Sequence, residues 1–292
     1  MAEEIKPLTI RNWLFEIHDG ADYTWETCSK VAGIMSLVFS FVDDNEVYAI
    51  RNPLDKVTIP ASEEEHDEIR VLLPDEVMAL LQRLPLLVKV AVLLVAATGV
   101  RISEALGLRW LHVRWNERRI LIEQTFRRGE VQRRTKTKSS KGAVPMCDLL
   151  AARLAEWRRQ SPYSADEDFI FASPTLNGLK PLWGQTINAD YVKPAAVALG
   201  LVDEGERFGW HRLRHSISTW VNEDTKDIRV SQTLLRHSDP KMTADYIHES
   251  FQKALEAQRR YMQQLLGAKP PQSLLHQEPE LLALKSTSEA IQ

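Results

Sequence analysis

Two short segments place arginine and histidine where they suit a phosphate ligand. In residues 98–108, Arg101 follows a glycine that marks a turn, and the next helix can start directly after it. Further along, His211 and Arg214 are three residues apart and so share one face of a helix, where an imidazole and a guanidinium can reach the same phosphate. Taken singly, each segment has an ordinary interpretation: a surface arginine paired with Glu104, and a solvent-facing helix start.

Two further segments carry a tyrosine and a group of lysines. Residues 234–248 end a helix, turn through Ser-Asp-Pro and reach Tyr246 nine residues after His237. A separate basic turn surrounds a Ser-Ser pair with three lysines, namely Lys136, Lys138 and Lys141. An isolated tyrosine is usually a core or interface residue, and the lysines by themselves form an ordinary basic turn.

Together these residue types supply every role in a metal-free phosphodiester transfer. Such a reaction needs cations on the nonbridging oxygens, a base near the nucleophile and an acid at the leaving 5′ oxygen. The combination therefore favours phosphodiester chemistry. A metal site is the weaker alternative, because His211 and His215 lack the intervening glutamate of a zinc-protease helix.

The elements that must position these residues fall into two predicted domains. Residues 1–62 read as a small helical unit, with helical apolar spacing from Val31 to Val42. Residues 63–72 are acidic at their start and are predicted to be a linker. A larger domain follows over residues 73–267, and a polar tail, which we expect to be partly disordered, over 268–292.

The larger domain is predicted to be mainly α with a small antiparallel β-sheet, an α+β fold. Residues 86–97 form a very apolar helix that we expect at its buried centre. Strand-like runs occur between Arg118 and Met146. Further helices are predicted over residues 148–160, 186–199, 211–222 and 249–266.

Composition limits the class of protein. The formal net charge is −3, but residues 1–76 hold 6 Lys/Arg against 17 Asp/Glu and residues 101–160 hold 15 against 6, so the middle is basic. The cysteines, Cys28 and Cys147, support neither a disulfide framework nor a thiolate zinc site. We expect no membrane span and no secretory signal, and hence a cytoplasmic protein.

In chain order, the arginine, lysine, His-x-x-Arg, histidine and tyrosine segments resemble the tyrosine recombinase, or phage integrase, family. The resemblance covers about residues 73–266. The upstream Arg51-Asn52-Pro53-Leu54 is similar to the end of that family's helical, SAM-like core-binding domain. The implied fold is the family's catalytic domain preceded by a short core-binding domain. The implied activity is site-specific DNA recombination or integration.

The resemblance implies a role for each matched position. Tyr246 is the implied nucleophile, which forms a 3′-phosphotyrosine, and Arg101 and Arg214 are the implied phosphate clamp. Such enzymes need neither ATP nor metal, because the energy of the broken bond is kept in the phosphotyrosine.

For the other matched positions, the resemblance implies that His211 assists proton transfer at the tyrosine and that His237 hydrogen-bonds the scissile phosphate. Lys136 is the implied acid at the 5′ oxygen, with Lys138 as the substitute.

The implied partners are double-stranded DNA and further copies of the chain, as a homo-tetramer on two DNA sites. We expect the helix over 249–266 to pack on a neighbouring subunit through an apolar stripe, formed by Phe251, Leu255, Met262, Leu265 and Leu266.

Two features depart from the family pattern. The N-terminal unit is short for a complete core-binding domain and is acidic, and the chain has Leu235-Arg236-His237 where the family usually has Leu-Gly-His. Because glycine tolerates positive φ, we expect Arg236 to strain this turn. The rival interpretations are a non-catalytic DNA-binding protein or truncated mobile-element relic on the same fold, and a topoisomerase with similar tyrosine chemistry.

Overall fold

The computed structural model describes most of the chain: residues 5–21, 23–45, 52–59, 70–133, 142–236 and 244–267, with the backbone alone for 244–248. The chain divides into two compact units, Met1–Glu68 and Ile69–Gln292. The predicted fold class, mainly α with a small antiparallel β component, is confirmed. Within the described ranges, every helix is too short or too polar to span a bilayer.

The first unit consists of α1 (Pro7–Ala21), α2 (Trp25–Asp44) and a 3₁₀ turn (Pro53–Lys56). The side chain of Asn52 donates a hydrogen bond to Ser36 Oγ at 2.8 Å and so fastens the 3₁₀ turn to α2. A small core holds the helices together, formed by Ile10, Leu14, Cys28 and Ala32.

Only part of the predicted apolar spacing in α2 faces that core. Val31, Met35 and Phe39 pack against it. Ile34 and Val38 lie on the other side of the helix, 64% and 57% exposed.

The second unit is built from helices around a small β component. Its helices are α3 (Pro74–Gln82), α4 (Leu86–Thr98), α5 (Ile102–Gly107), α6 (Asp148–Gln160), α7 (Gly184–Ile187), α8 (Lys193–Ala198), α9 (Trp210–Thr225), α10 (Ile228–Leu235) and α11 (Ala244–Gly267). Its strands are β1 (Val113–Arg114), β2 (Arg119–Ile122), β3 (Gln124–Arg127), β4 (Glu130–Arg133) and β5 (Gly142–Pro145).

α4 is the buried centre of this unit, as predicted. Every residue from Val90 to Thr98 is buried, which is what a helix that is apolar on all sides requires. The helix ends at Gly99, whose φ of +64° is the left-handed conformation that commonly terminates helices.

The strands form two antiparallel sheets where one was predicted. β1, β2 and β5 make a three-stranded sheet, and β3 and β4 make a separate hairpin. β3 is polar in sequence, but it is buried because it packs on the end of α5. There Gln124 Nε2 donates to Gly107 O at 2.6 Å, and a Cβ on Gly107 would lie 3.0 Å from Thr125 Cα.

The helix predicted over 186–199 is instead interrupted. α7 and α8 are joined by a π turn, Asn188–Val192. Pro194 lies in the first turn of α8, and a proline within a helix removes one of the regular backbone hydrogen bonds. The side chain of Asn188 donates to Phe208 O at 2.7 Å, which holds the turn against the segment before α9.

The described apolar face of α11 is buried in its own unit. The expectation that its apolar stripe packs on a neighbouring subunit is therefore wrong for most of that stripe. Met262 and Leu265 are fully buried against this unit's core, and Leu255 and Leu266 pack partly against it. Gln258 Nε2 donates to Ala97 O at 3.0 Å and to Pro145 O at 2.9 Å. Since α11 closes the core, removing it would expose α4.

Candidate active site

Arg101 is placed by the turn between α4 and α5. Its backbone N–H donates to Glu104 Oε2 at 2.9 Å, as a glutamate in the first turn of a helix does in a capping box. Its Nη1 lies 3.4 Å from Glu104 Oε1, which confirms the predicted pairing. The side chain remains 45% exposed, so the guanidinium can still receive a ligand.

Arg214 enters the same region from α9 and is buried. Its Nη1 donates to Gly99 O, and its Nη2 donates to Leu235 O at 3.0 Å. One guanidinium therefore joins the end of α4 to the end of α10. Burial, followed by the charge of Arg101, lowers the pKa of Arg214 to about 10, so the group is still cationic at neutral pH.

Gly99 allows this close packing. A Cβ at this position would lie 2.6 Å from Leu235 Cδ2, and its positive φ also disfavours any other residue. The turn that carries Arg101 is therefore pressed directly against the last residue of α10.

His211 lies in the first turn of α9, one turn before Arg214. Burial lowers its pKa, and the charges of Arg214, His215 and Arg101 lower it further. His211 lies one turn from Arg214, whose side chain reaches the turn that carries Arg101. A neutral imidazole at neutral pH is the form that accepts a proton.

Glu104 was recognised in the sequence only as a partner of Arg101, but it has a larger role. Its carboxylate is fully buried and also accepts a hydrogen bond from Arg236 Nη2. The two arginines are brought to one carboxylate from the start of α5 and the end of α10. The three-residue spacing from Arg101 was the only local signal, and nothing local indicated Arg236.

Three sequence-predicted site residues are not fully placed. Lys136, with its alternative Lys138, and His237 lie outside the described residues. Tyr246 lies in the first turn of α11, where the backbone alone is described. Their roles remain predictions.

Tyr261 is the other tyrosine of α11, and its environment does not suit a nucleophile. It is buried against Trp220, with ring centroids 5.2 Å apart. Its hydroxyl has no hydrogen-bond partner within the described part of the chain. Burial raises the pKa of Tyr261, which disfavours the phenolate.

Comparison with known proteins bears on the identity of the second unit. The sequence profile of the phage integrase family matches residues 70–253, more than half of the chain. The chain is 30% identical over 156 residues to the tyrosine recombinase XerC of Xanthomonas axonopodis pv. citri, a match that covers 53% of this chain. It spans about half the length of that relative, 45%.

Solved structures share the fold. The Tn1549 transposon integrase, in complex with transposon right end DNA, superposes with a TM-score of 0.65 at 16% identity, covering 91% of this chain and 87% of that one. A λ integrase tetramer bound to a Holliday junction gives 0.58 at 20% identity, covering 82% and 67%. Because the family profile covers more than half of the chain, the chain belongs to the phage integrase family.

Proposed function

We propose that the chain is a site-specific DNA recombinase, or integrase, that cleaves and rejoins strands through a covalent 3′-phosphotyrosine on Tyr246. The observation that carries the proposal is the grouping of Arg101, Arg214 and His211 around the end of α4. Two guanidinium groups suit the nonbridging oxygens of one phosphate. Membership of the phage integrase family supports the assignment.

In the proposed cleavage step, the Tyr246 oxygen attacks the scissile phosphorus and the bond from phosphorus to the 5′ oxygen breaks. His211 takes up the tyrosine proton, and Lys136 gives a proton to the departing 5′ oxygen. Arg101 and Arg214 neutralise the charge that develops on the nonbridging oxygens, with His237 hydrogen-bonded beside them. The phosphotyrosine keeps the energy of the broken bond, so rejoining by a 5′ hydroxyl needs neither ATP nor a metal.

The proposed partner is double-stranded DNA, and the proposed assembly is a homo-tetramer on two DNA sites. Exchange between two duplexes requires four strand cleavages, one for each subunit. The λ integrase tetramer on a Holliday junction supports this assembly. The cytoplasm is the proposed place of action.

The domain roles are part of the same proposal. Residues 1–62 act as a partial core-binding domain, joined by the linker 63–72 to a catalytic domain over 73–267. The tail over 268–292 has no assigned role.

The experiment that tests this function uses a suicide DNA substrate, nicked so that the released fragment diffuses away and rejoining is prevented. Its sequence is best taken from DNA that flanks the gene. We expect a covalent protein–DNA species on a denaturing gel, with the protein on the 3′ phosphate. DNA that is bound in a native gel but never trapped covalently would instead support the non-catalytic rival.

The proposed base gives a pH prediction. Because the pKa of His211 is lowered, the ring stays neutral, and the base active, to a pH below the ordinary histidine value of about 6.5. Single-turnover cleavage should therefore hold its rate down to about pH 6.5 and decline only below it. In His211→Gln this acid decline should disappear, and the rate should be about a hundredfold lower at neutral pH. A wild-type decline centred above pH 7 would contradict a lowered pKa.

The proposed acid gives a second prediction. Replacing the bridging 5′ oxygen of the substrate by sulfur creates a leaving group that needs no proton. Lys136→Ala should cleave ordinary DNA at least tenfold more slowly than wild type and recover on the sulfur substrate. Lys138→Ala is the matched control and should show neither effect. If only Lys138→Ala is rescued by the sulfur substrate, Lys138 is the general acid and Lys136 is not.

A further inference from the structure

The backbone of Arg236 has a conformation that its residue type disfavours. Arg236 follows the last residue of α10 with φ +56° and ψ +38°, in the left-handed region. This confirms the expectation of a positive φ at this turn, where a glycine would be unstrained. An arginine here needs contacts of its own side chain to compensate.

Those contacts exist and are buried. The side chain of Arg236 is only 8% exposed, and its Nη2 donates to Glu104 Oε2. Its aliphatic part crosses the start of β5, where a Cβ on Gly142 would lie 2.7 Å from Arg236 Cδ. The Arg236 side chain therefore occupies the space beside Gly142, where any larger residue would place its own side chain.

The carboxylate that Arg236 holds is the one that orients Arg101. Glu104 Oε2 accepts from both the Arg101 backbone N–H and Arg236, while Oε1 faces Arg101 Nη1. A fully buried carboxylate is costly unless cations and hydrogen bonds compensate it. Arg101 is 45% exposed and cannot fully shield this charge by itself. Arg236 supplies a buried cation that is hydrogen-bonded to the carboxylate, and the buried Arg214 adds a second positive charge nearby.

We propose that Arg236 is a positioning residue: it fixes the Glu104 carboxylate, and through it the guanidinium of Arg101. The proposal rests on the proposed function insofar as Arg101 is a phosphate ligand. Arg236 itself does not touch the substrate in this scheme. The backbone strain at Arg236 is tolerated because its side chain hydrogen-bonds the Glu104 carboxylate that pairs with Arg101.

The principal variant is Arg236→Gly, which removes the ion pair and relieves the backbone strain. We expect its melting temperature to fall by several degrees, because losing one partner of a buried ion pair costs more than the relieved strain returns. Its DNA affinity, corrected for the folded fraction, should stay within twofold. Its single-turnover cleavage at saturating protein should fall about tenfold. Arg236→Lys keeps the charge and should recover part of the rate. A full rate in Arg236→Gly would overturn the proposal.

A double-mutant cycle tests whether the effect passes through Glu104. In a Glu104→Gln background, Arg236→Gly should reduce cleavage by less than twofold further, because the shared carboxylate charge is already gone. An undiminished tenfold loss in that background would show that Arg236 acts elsewhere. Gly142→Ala, which pushes on the Arg236 side chain without changing its backbone, should reproduce the loss in part.

An activity-independent measurement separates this inference from the proposed function. The Arg101 Nε–H signal in ¹⁵N NMR, assigned by its disappearance in Arg101→Lys, should be sharp in wild type and broadened in Arg236→Gly. An unchanged signal would overturn the positioning role even if wild type cleaves DNA. If wild type forms no covalent species, the function fails, and the NMR comparison still decides whether Arg236 orders Arg101.

Discussion

Tyr246→Phe is expected to abolish the covalent protein–DNA species while leaving DNA affinity within twofold of wild type. The substitution removes only the phenolic oxygen, so the fold of α11 and the cationic groups from α5 and α9 are retained. Without that oxygen no phosphotyrosine can form, whatever the state of the arginines. A denaturing gel of suicide-substrate reactions measures the first quantity, and a native gel titration measures the second.

The structure provides a matched control for this experiment in the same helix. Tyr261 is buried and its hydroxyl lacks a hydrogen-bond partner among the described residues. Tyr261→Phe should therefore leave adduct formation at the wild-type level and should not lower stability, because it removes a buried polar atom that gains nothing there. Adducts that persist in Tyr246→Phe and vanish in Tyr261→Phe would transfer the nucleophile to Tyr261.

Local patterns predicted those elements whose burial follows from their own sequence. α4 is apolar on every side and is preceded by a proline and followed by a glycine, so its existence, limits and central position could all be predicted. α6 was predicted with the bounds that it has, Asp148–Gln160. The grouping of Arg101, His211 and Arg214 was predicted from the order of their motifs along the chain. The resemblance to a known family made that order a specific signal.

The misjudged features depend on contacts between residues far apart in the chain. β3 was not predicted because its polar residues are buried only by the approach of Gly107. The apolar stripe on α11 was recognised in the sequence. An apolar helix face does not reveal what it packs against, and here most of it packs against the core of the same chain. The expected strain at Arg236 followed from a local rule. Its partner Glu104 lies 132 residues away in the chain, and no local rule predicts that contact.

Lysine substitutions at Arg101 and Arg214 should both slow cleavage but should differ in their effect on stability. Lysine keeps the charge and loses the planar fork that matches two phosphate oxygens. Each variant should cleave at least tenfold more slowly in single turnover, about 1.4 kcal/mol of barrier, with a smaller change in DNA affinity. Suicide-substrate kinetics at saturating protein measures this loss.

The stability difference follows from the positions of the two side chains. Arg214 is buried and donates to both Gly99 O and Leu235 O, and a lysine at this position cannot reproduce both hydrogen bonds with the same geometry. Leaving a buried carbonyl without its donor costs about 1–3 kcal/mol, so Arg214→Lys should lower the melting temperature by several degrees. The Arg101 side chain is 45% exposed and lysine keeps its charge beside Glu104, so Arg101→Lys should change stability by no more than about 0.5 kcal/mol.

Comparing the two variants therefore separates an effect on the cleavage step from an effect on the stability of the fold. Thermal unfolding without DNA should distinguish them, while cleavage rates corrected for the folded fraction should be reduced in both. An unchanged rate in Arg101→Lys would remove Arg101 from the phosphate site. Equal destabilisation by both substitutions would contradict the buried role assigned to Arg214. A destabilised Arg214→Lys that retains the full corrected rate would make Arg214 a structural link between α4 and α10, and the clamp would then need another cation.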